Sequence, residues 1–286
     1  MSRQVNLPLP QFRGLGETTR RDVWWMQPVA TFLGLCAFVV YSTWAAFQGK
    51  HYWLETGGAD YLSPFYSPEI FGNSPHAVFG PPPAWLMQVW PSFIPFSPAL
   101  FILWAPGGFR FTCYYYRGAY YKAFWGDPPS CSVGEPGFRK EKYRGENSFP
   151  LIIQNVHRYF LYLAVAFVLL LFYDAYKAFF FLSADAGGDP HGPREFGVGV
   201  GSLVLLINPI LLGGYTFGCH SLRHIIGGRK DCLTDCSKAR QGAYDGVSCL
   251  NRRHMLFAWM SLFWVGFTDG YVRLCSSGVW TDWRLF

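Results

Sequence analysis

Residues 24–48 form an apolar run that contains no charged side chain. A helix crosses the hydrocarbon core of a bilayer with about 20 predominantly apolar residues, so this run predicts a membrane span. The whole chain has the matching composition: 15% of its residues are charged and 20% are aromatic, whereas soluble domains carry about a quarter charged residues. Tyr and Trp at this frequency are typical of the aromatic belts at the two membrane interfaces.

Four further apolar runs follow along the chain. We therefore predict an all-α, polytopic membrane protein built as a five-helix transmembrane bundle. The bundle would occupy residues 24–275, between a cytoplasmic N-terminal tail of residues 1–23 and a short C-terminal tail of residues 276–286. The four runs extend from Ser92 to about Arg117, from Leu151 to Leu182, from Phe196 to about Ile226, and from His254 to Gly270.

Prolines and glycines predict where the runs bend or end. The triplet Pro106-Gly107-Gly108 predicts a kink in the second run. That helix is expected to leave the bilayer near Arg117 and to project to Trp125, before Asp127-Pro128-Pro129 stops it. Gly227-Gly228 is expected to end the fourth run.

The basic residues are distributed unequally between the two sides of the predicted bundle. With the N-terminus in the cytoplasm, 19 of the 24 Lys and Arg residues fall on the cytoplasmic side. Membrane proteins concentrate Lys and Arg in their cytoplasmic loops, so the C-terminus is expected outside. The net charge of +6 does not indicate nucleic acid as a partner, because the basic residues are not gathered in one arm.

Histidines and cysteines from four predicted spans fall at one depth, near the cytoplasmic ends. Ionisable groups at membrane depth are costly and are usually functional. His220 and His224 are spaced i, i+4 and are expected to share one helix face. Cys232 and Cys236 have a metal-like spacing without a second pair, and Cys131 is a reserve thiol. The metal-ligand candidates in this layer are Cys113, Cys219, His157, His220 and His224.

Arginines and aromatic residues share this layer, where they suit the head group of a quinone. Quinone carbonyls need hydrogen-bond donors, and apolar walls hold an isoprenoid tail. The same arginines could instead be anchors at the lipid interface. No Walker loop, HExxH motif or nucleophile elbow occurs in the chain. The quinone-binding candidates are Tyr114, Arg117, Arg158, Trp259 and His254.

Four tracts give the chain a resemblance to a known family, the single-chain membrane-anchor C subunits of actinobacterial-type succinate dehydrogenase, respiratory complex II. The resemblance covers most of residues 20–275. The tracts are Cys113-Tyr114-Tyr115-Tyr116-Arg117 with Tyr120-Tyr121-Lys122-Ala123-Phe124-Trp125, Gln154-Asn155-Val156-His157-Arg158-Tyr159, Gly218-Cys219-His220-Ser221-Leu222-Arg223-His224, and Asn251-Arg252-Arg253-His254-Met255.

The resemblance implies a membrane subunit that passes electrons from succinate to a quinone, menaquinone or ubiquinone. The implied partners are a flavoprotein subunit and an iron–sulfur subunit on the cytoplasmic face, together with membrane lipids, and the implied location is the bacterial plasma membrane. The chain alone would not oxidise succinate. The extension over residues 118–125 and the basic loops are expected to dock the soluble subunits.

The cofactor implied by the resemblance is a Rieske-type [2Fe–2S] cluster in the membrane. The outer half of the bundle has no intramembrane histidine, which departs from the di-haem anchors and resembles the haem-free class. A Rieske centre takes two thiolates and two imidazoles, which would come here from separate helices. Two alternatives stay open: a cytochrome b-type anchor with one inner haem b, and a non-redox membrane transporter or scaffold.

Overall fold

The computed structural model describes residues 22–54, 58–127, 151–183, 192–228 and 237–286. The helices in these ranges are α1 (Met26–Gln48), α2 (Ala84–Val89), α3 (Trp104–Thr112), α4 (Tyr114–Trp125), α5 (His157–Lys177), α6 (Val200–Phe217), α7 (His220–Gly227), α8 (Lys238–Arg252) and α9 (His254–Ser276). Short 3-10 turns cover Pro98–Phe101 and Leu151–Val156, and β1 (Phe180–Leu182) pairs antiparallel with β2 (Arg194–Phe196). Within these ranges the fold is therefore all-α apart from the β1–β2 pair.

Three helices of the described chain have the length and composition of membrane spans: Met26–Gln48, Ile152–Lys177 and Val200–Phe217. α9 has 23 residues, enough to cross, but it carries Asp269 and Arg273 and is not among the three. The all-α membrane fold is confirmed, and the count of five spans stays a prediction.

The second apolar run differs from its prediction. The chain is not α-helical from Ser92 to Ile102, and the triplet at 106–108, where a kink is predicted, lies inside α3. Pro106 occupies the third position of α3, where a backbone N–H has no partner within its own helix and its absence costs little. The break falls instead at Cys113, whose extended backbone (ψ 131°) separates α3 from α4. α4 ends at Trp125, as predicted.

The other runs differ from their predictions mainly in where their helices begin and end. Run one begins at Met26 rather than Trp24, and α5 ends at Lys177 because the chain then forms β1, so run three does not reach Leu182. Run four is two helices, broken between Phe217 and His220. Its stop at Gly227-Gly228 is confirmed, while α9 begins at His254 as predicted and continues past Gly270 to Ser276.

The chain divides into two compact units by its internal contacts, and the predicted domain boundaries stay a prediction. One unit comprises the described residues of Met1–Ala37 and Phe111–Asn155, and the other comprises those of Phe38–Arg110 and Val156–Phe286. In the smaller unit, Phe32 of α1 contacts Phe124 of α4, with ring centroids 4.8 Å apart.

The larger unit is built around α6, which packs against both α5 and α9. Small residues allow this close packing: a Cβ on Gly214 would overlap the ring of Phe257 on α9. The short helices α7 and α8 pack on each other at one end of this group. Residues 58–101 cover part of the opposite end, where Tyr61 and Tyr66 are fully buried.

A buried ion pair lies at that opposite end, on α9. Arg273 Nε donates to Asp269 Oδ2 over 2.7 Å. Tyr41 of α1 donates to the same carboxylate over 2.7 Å, and Ser63 donates to its other oxygen. The guanidinium also donates to two backbone carbonyls, those of Lys50 and Ala45. Both charges are thus satisfied by neighbouring groups of the protein, as burial requires.

Candidate functional site

Cys219 lies between α6 and α7 and is the N-cap residue of α7. Its backbone is extended (φ −68°, ψ 138°), and its Sγ accepts the backbone N–H of Ser221. Gly218 precedes Cys219 in the break between α6 and α7. A Cβ at Gly218 would stand 2.7 Å from the carbonyl oxygen of Gly214. This break turns the Cys219 side chain inward, and the residue is only 2% exposed.

His157 brings an imidazole to this thiol from the first turn of α5. Its Nε2 lies 3.1 Å from Cys219 Sγ, and both side chains are buried. The sequence places the two residues in one layer by depth, and the structure brings them into direct contact. A thiol beside an imidazole is a pair of metal-ligand types.

A column of rings extends from His157 across the larger unit. Phe109 of α3 stacks on His157, with centroids 4.6 Å apart and planes 7° from parallel. Phe109 also contacts Tyr215 of α6 edge-on at 5.4 Å, and Tyr215 stacks on His254 of α9 at 4.9 Å. Four elements therefore contribute to one column that has an imidazole at each end.

Arg110 adds a fixed positive charge to this column. Its guanidinium lies over the Tyr215 ring at 4.7 Å. It donates to the carbonyl of Ala258 over 3.2 Å and to Ser261 Oγ over 2.9 Å, both on α9. These contacts hold the charged group at the boundary between α3, α6 and α9.

A partly open cavity of about 390 Å³ lies directly beside the column. Phe109, Arg110 and Tyr215 form one part of its wall, and Thr216 lines it next to them. The rest of the lining is almost entirely apolar and comes from α1, α3, α5, α6, α9 and the segment around Phe65. Such a cavity, apolar with a few polar groups in one region, is typical of small-molecule sites.

His220 and His224 form a second pair of candidate ligands, on α7. Their Nε2 atoms are 2.9 Å apart, which confirms that they share a helix face. Both are exposed.

The five predicted metal ligands are divided between the two compact units, and their assignment stays a prediction. Cys113 is buried as the N-cap residue of α4 in the smaller unit. Within the described ranges, no three His, Cys, Asp or Glu residues are placed to hold one metal ion. Cys131, Cys232 and Cys236 lie outside these ranges. The donor types still fit a Rieske centre: two buried thiols, one of them touching an imidazole.

The predicted quinone residues lie in several places. In the smaller unit, Arg117 covers the ring of Tyr114 at 4.5 Å, and Tyr114 is 64% exposed. In the larger unit, Arg158 is exposed and lies over Tyr159, and Trp259 stacks on Phe263. His254 is the one predicted quinone residue that belongs to the ring column.

Phe109, Arg110 and Tyr215 were not among the predicted site residues. Arg110 carries a usable signal, because it is a charge that directly follows the uncharged stretch 77–109, and charges at membrane depth indicate function. Phe109 and Tyr215 carry no such signal, because single aromatic residues in apolar helices are common core residues.

Comparison with known proteins gives two matches. The model of the family "Actinobacterial succinate dehydrogenase subunit SdhC" matches residues 26–278. Among solved structures, a chain of the Mycobacterium smegmatis Sdh1 complex in the apo form is 43% identical in sequence, with 93% of each chain covered and a TM-score of 0.77. No curated protein matches the chain.

Proposed function

The chain belongs to the family of actinobacterial succinate dehydrogenase SdhC subunits, and we propose from this premise that it transfers electrons from the iron–sulfur subunit to a membrane quinone. As an SdhC subunit it is the membrane anchor of succinate dehydrogenase and assembles with the flavoprotein and iron–sulfur subunits. Its own contribution to the reaction is the site where the electrons leave the complex.

The cavity beside Arg110 is the observation that carries this proposal. A quinone needs an apolar slot for its ring and tail, with donors for its carbonyl oxygens. The cavity supplies the slot, and Arg110 supplies a guanidinium that stays charged at all working pH values. Reduction adds two electrons and two protons to the quinone, and a positive group beside a carbonyl stabilises the oxyanion that develops.

The residues that the sequence predicts to bind quinone differ in how close they lie to this cavity. His254 lies at the far end of the ring column, next to Tyr215, and is retained as a supporting residue. Tyr114 and Arg117 belong to the smaller unit, where they form a cation–π pair. We assign Arg117 and Arg158 to anchoring at the membrane surface.

A Rieske-type [2Fe–2S] cluster is the second part of the proposal. Cys113 and Cys219 would provide the thiolates, and His157 with His220 or His224 would provide the imidazoles. When bound, such a cluster supplies a one-electron relay with a higher potential than an all-thiolate cluster has. The contact of His157 with Cys219 supports these two residues as members of the ligand set. The protein's own part is to bury the thiols and to orient the imidazoles.

The orientation in the membrane is proposed from the basic residues. We place the N-terminus in the cytoplasm and the C-terminus outside the bacterial plasma membrane, because 19 of the 24 Lys and Arg residues then lie inside. The soluble subunits would dock on the cytoplasmic side, in part on the aromatic surface of α4.

Replacing Arg110 tests the quinone site in the intact complex. Arg110→Gln should lower kcat/KM for succinate:quinone reduction about 100-fold, the usual effect of removing one oxyanion donor. Succinate oxidation measured with a soluble dye should be unchanged, because the dye accepts electrons before this subunit does. Arg158→Gln, at an exposed arginine, is the matched control and should change neither rate.

Two other results would contradict the assignment. Normal quinone reduction by Arg110→Gln would show that quinone does not bind in the cavity beside Arg110. Loss of quinone reduction in Arg117→Gln but not in Arg110→Gln would indicate that quinone binds at Arg117, in the smaller unit.

A further inference from the structure

An apolar patch lies on the surface of the segment that leads into α3. Residues 77–109 contain no charged side chain. α2 lies within this stretch and covers only six residues, between Pro83 and the Trp90-Pro91 pair. The patch consists of large side chains with high exposure: Val78 62%, Phe79 70%, Trp85 63%, Met87 45%, Val89 72% and Phe93 84%.

The contacts of Gly49 place this segment beside the C-terminal end of α1. Gly49 directly follows α1 and has a positive φ of 58°. A Cβ at Gly49 would stand 2.7 Å from the carbonyl oxygen of Phe96. Trp90, between α2 and Phe96, contacts the Phe96 ring at 5.3 Å. The segment therefore lies at the level where a membrane-spanning helix ends.

The patch continues the exposed apolar surface of a helix that is long and apolar enough to span a membrane. α1 is one of the three helices with the length and composition of a span. Its last turns expose Val40 (70%), Trp44 (51%) and Phe47 (41%). In a membrane protein this surface is covered by lipid chains. The patch extends the same kind of surface at the same end of the helix.

The backbone of the segment determines how deep it can lie. Irregular backbone exposed to lipid is not tolerated in the hydrocarbon core, because its N–H and C=O groups would have no partners. The boundary between head groups and acyl chains accepts such a backbone, and Trp side chains favour this zone. Trp90 satisfies its own indole N–H by donating to the carbonyl of Ile94 over 2.8 Å.

We propose that residues 78–93 lie in the membrane interface as a second lipid-binding element beside the spans. The Trp85, Val89 and Phe93 side chains insert among the acyl chains, and the backbone stays at the head-group level. The occupant of the patch is thus phospholipid, rather than water or a second copy of the chain. The absence of charge from 77 to 109 favours lipid, because an exposed loop in water normally carries polar and charged residues.

Photo-crosslinking in the intact complex, reconstituted in phospholipid nanodiscs, tests this inference. A benzoylphenylalanine residue replaces Val89 or Phe93, one at a time, and mass spectrometry identifies the adducts after illumination. Val40 on α1 is the lipid-facing control, and Asp245, an exposed residue of α8, is the water-facing control. Only preparations that retain succinate–dye activity are compared.

We expect phospholipid adducts at positions 89 and 93 with yields comparable to that at Val40 and well above that at Asp245. Crosslinks to a second copy of this chain, or to another subunit, would overturn the inference in favour of a protein interface. Lipid adducts no more frequent than at Asp245 would overturn it in favour of a water-exposed loop. If one position prevents assembly, the other provides the readout, since both side chains are exposed.

Discussion

His157 Nε2 lies 3.1 Å from Cys219 Sγ, which joins the start of α5 to the break between α6 and α7. The two residues are 62 positions apart in the sequence, and the contact depends on the packing of α5 against α6. It is the structural basis for including both residues in the proposed metal site.

Replacing Cys219 tests this pair. Cys219→Ser should remove two irons and two sulfides from the subunit and stop quinone reduction, because serine is a poor ligand for iron in such clusters. Succinate–dye activity should persist. Cys275→Ser is the matched control, since Cys275 is also buried but lies near the C-terminal end of α9.

Replacing both His220 and His224 by Ala tests the imidazole side of the same site. We expect loss of the Rieske-type EPR signal while the complex stays assembled, because both side chains are exposed and carry little of the packing. Full iron and sulfide content in that variant would exclude α7 from the ligand set. Sharp haem bands in the unaltered complex would refute the cluster and leave the anchor function in place.

Reporter fusions test the proposed orientation in the membrane. A phosphatase fused after Gly278 should be active, because that end is expected outside the cytoplasm. A fusion within residues 229–245 should be inactive. The reverse pattern would contradict the topology derived from the basic residues.

The buried pair of Asp269 and Arg273 should be important for stability. Arg273→Met leaves the carboxylate buried without its cation, which costs about 3–5 kcal/mol in proteins. Replacing both residues, with Asp269→Leu added, should cost less than the single change. Thermal unfolding of the purified complex measures both, and Arg252→Met, at an exposed position of α8, is the control. Equal stability of Arg273→Met and the unaltered protein would show that the pair contributes nothing.

Asp60 should make part of the stability dependent on pH. Burial would raise the pKa of this carboxyl, but His76 (2.9 Å) and Lys177 (3.1 Å) outweigh it and lower the pKa to about 2. A lowered pKa contributes stability above the unfolded-state value near 4, and this stability is lost as the pH falls from about 4 to about 2.

Asp60→Asn measures this contribution. The variant should be less stable than the unaltered protein at pH 6.5, by roughly 1–2 kcal/mol. The difference should shrink at pH 3, where the unaltered protein begins to lose the same ion pairs. Asp245→Asn, at an exposed carboxylate, should show no such pattern. A difference that stays constant with pH would indicate a steric effect instead.

The sequence by itself determined the features that depend on local physics. Long apolar runs predicted the three helices that have the length and composition of membrane spans, and the i, i+4 spacing predicted that His220 and His224 share a helix face. Gly227-Gly228 correctly predicted a helix end. These features follow from composition and from the geometry of a single helix, so they need no knowledge of the tertiary structure.

Only the tertiary structure decided which groups meet. Pro106 lies in the first turn of α3, and the break between α3 and α4 falls at Cys113, where no proline or glycine signals it. The sequence predicts run four as one apolar helix. In the structure the helix is broken around Gly218, and Cys219 faces His157. The ring column combines residues from four helices, and the cavity beside Arg110 is lined by five helices and the segment around Phe65. Their contacts arise from the packing of helices on one another, and periodicity along a single helix carries no information about that.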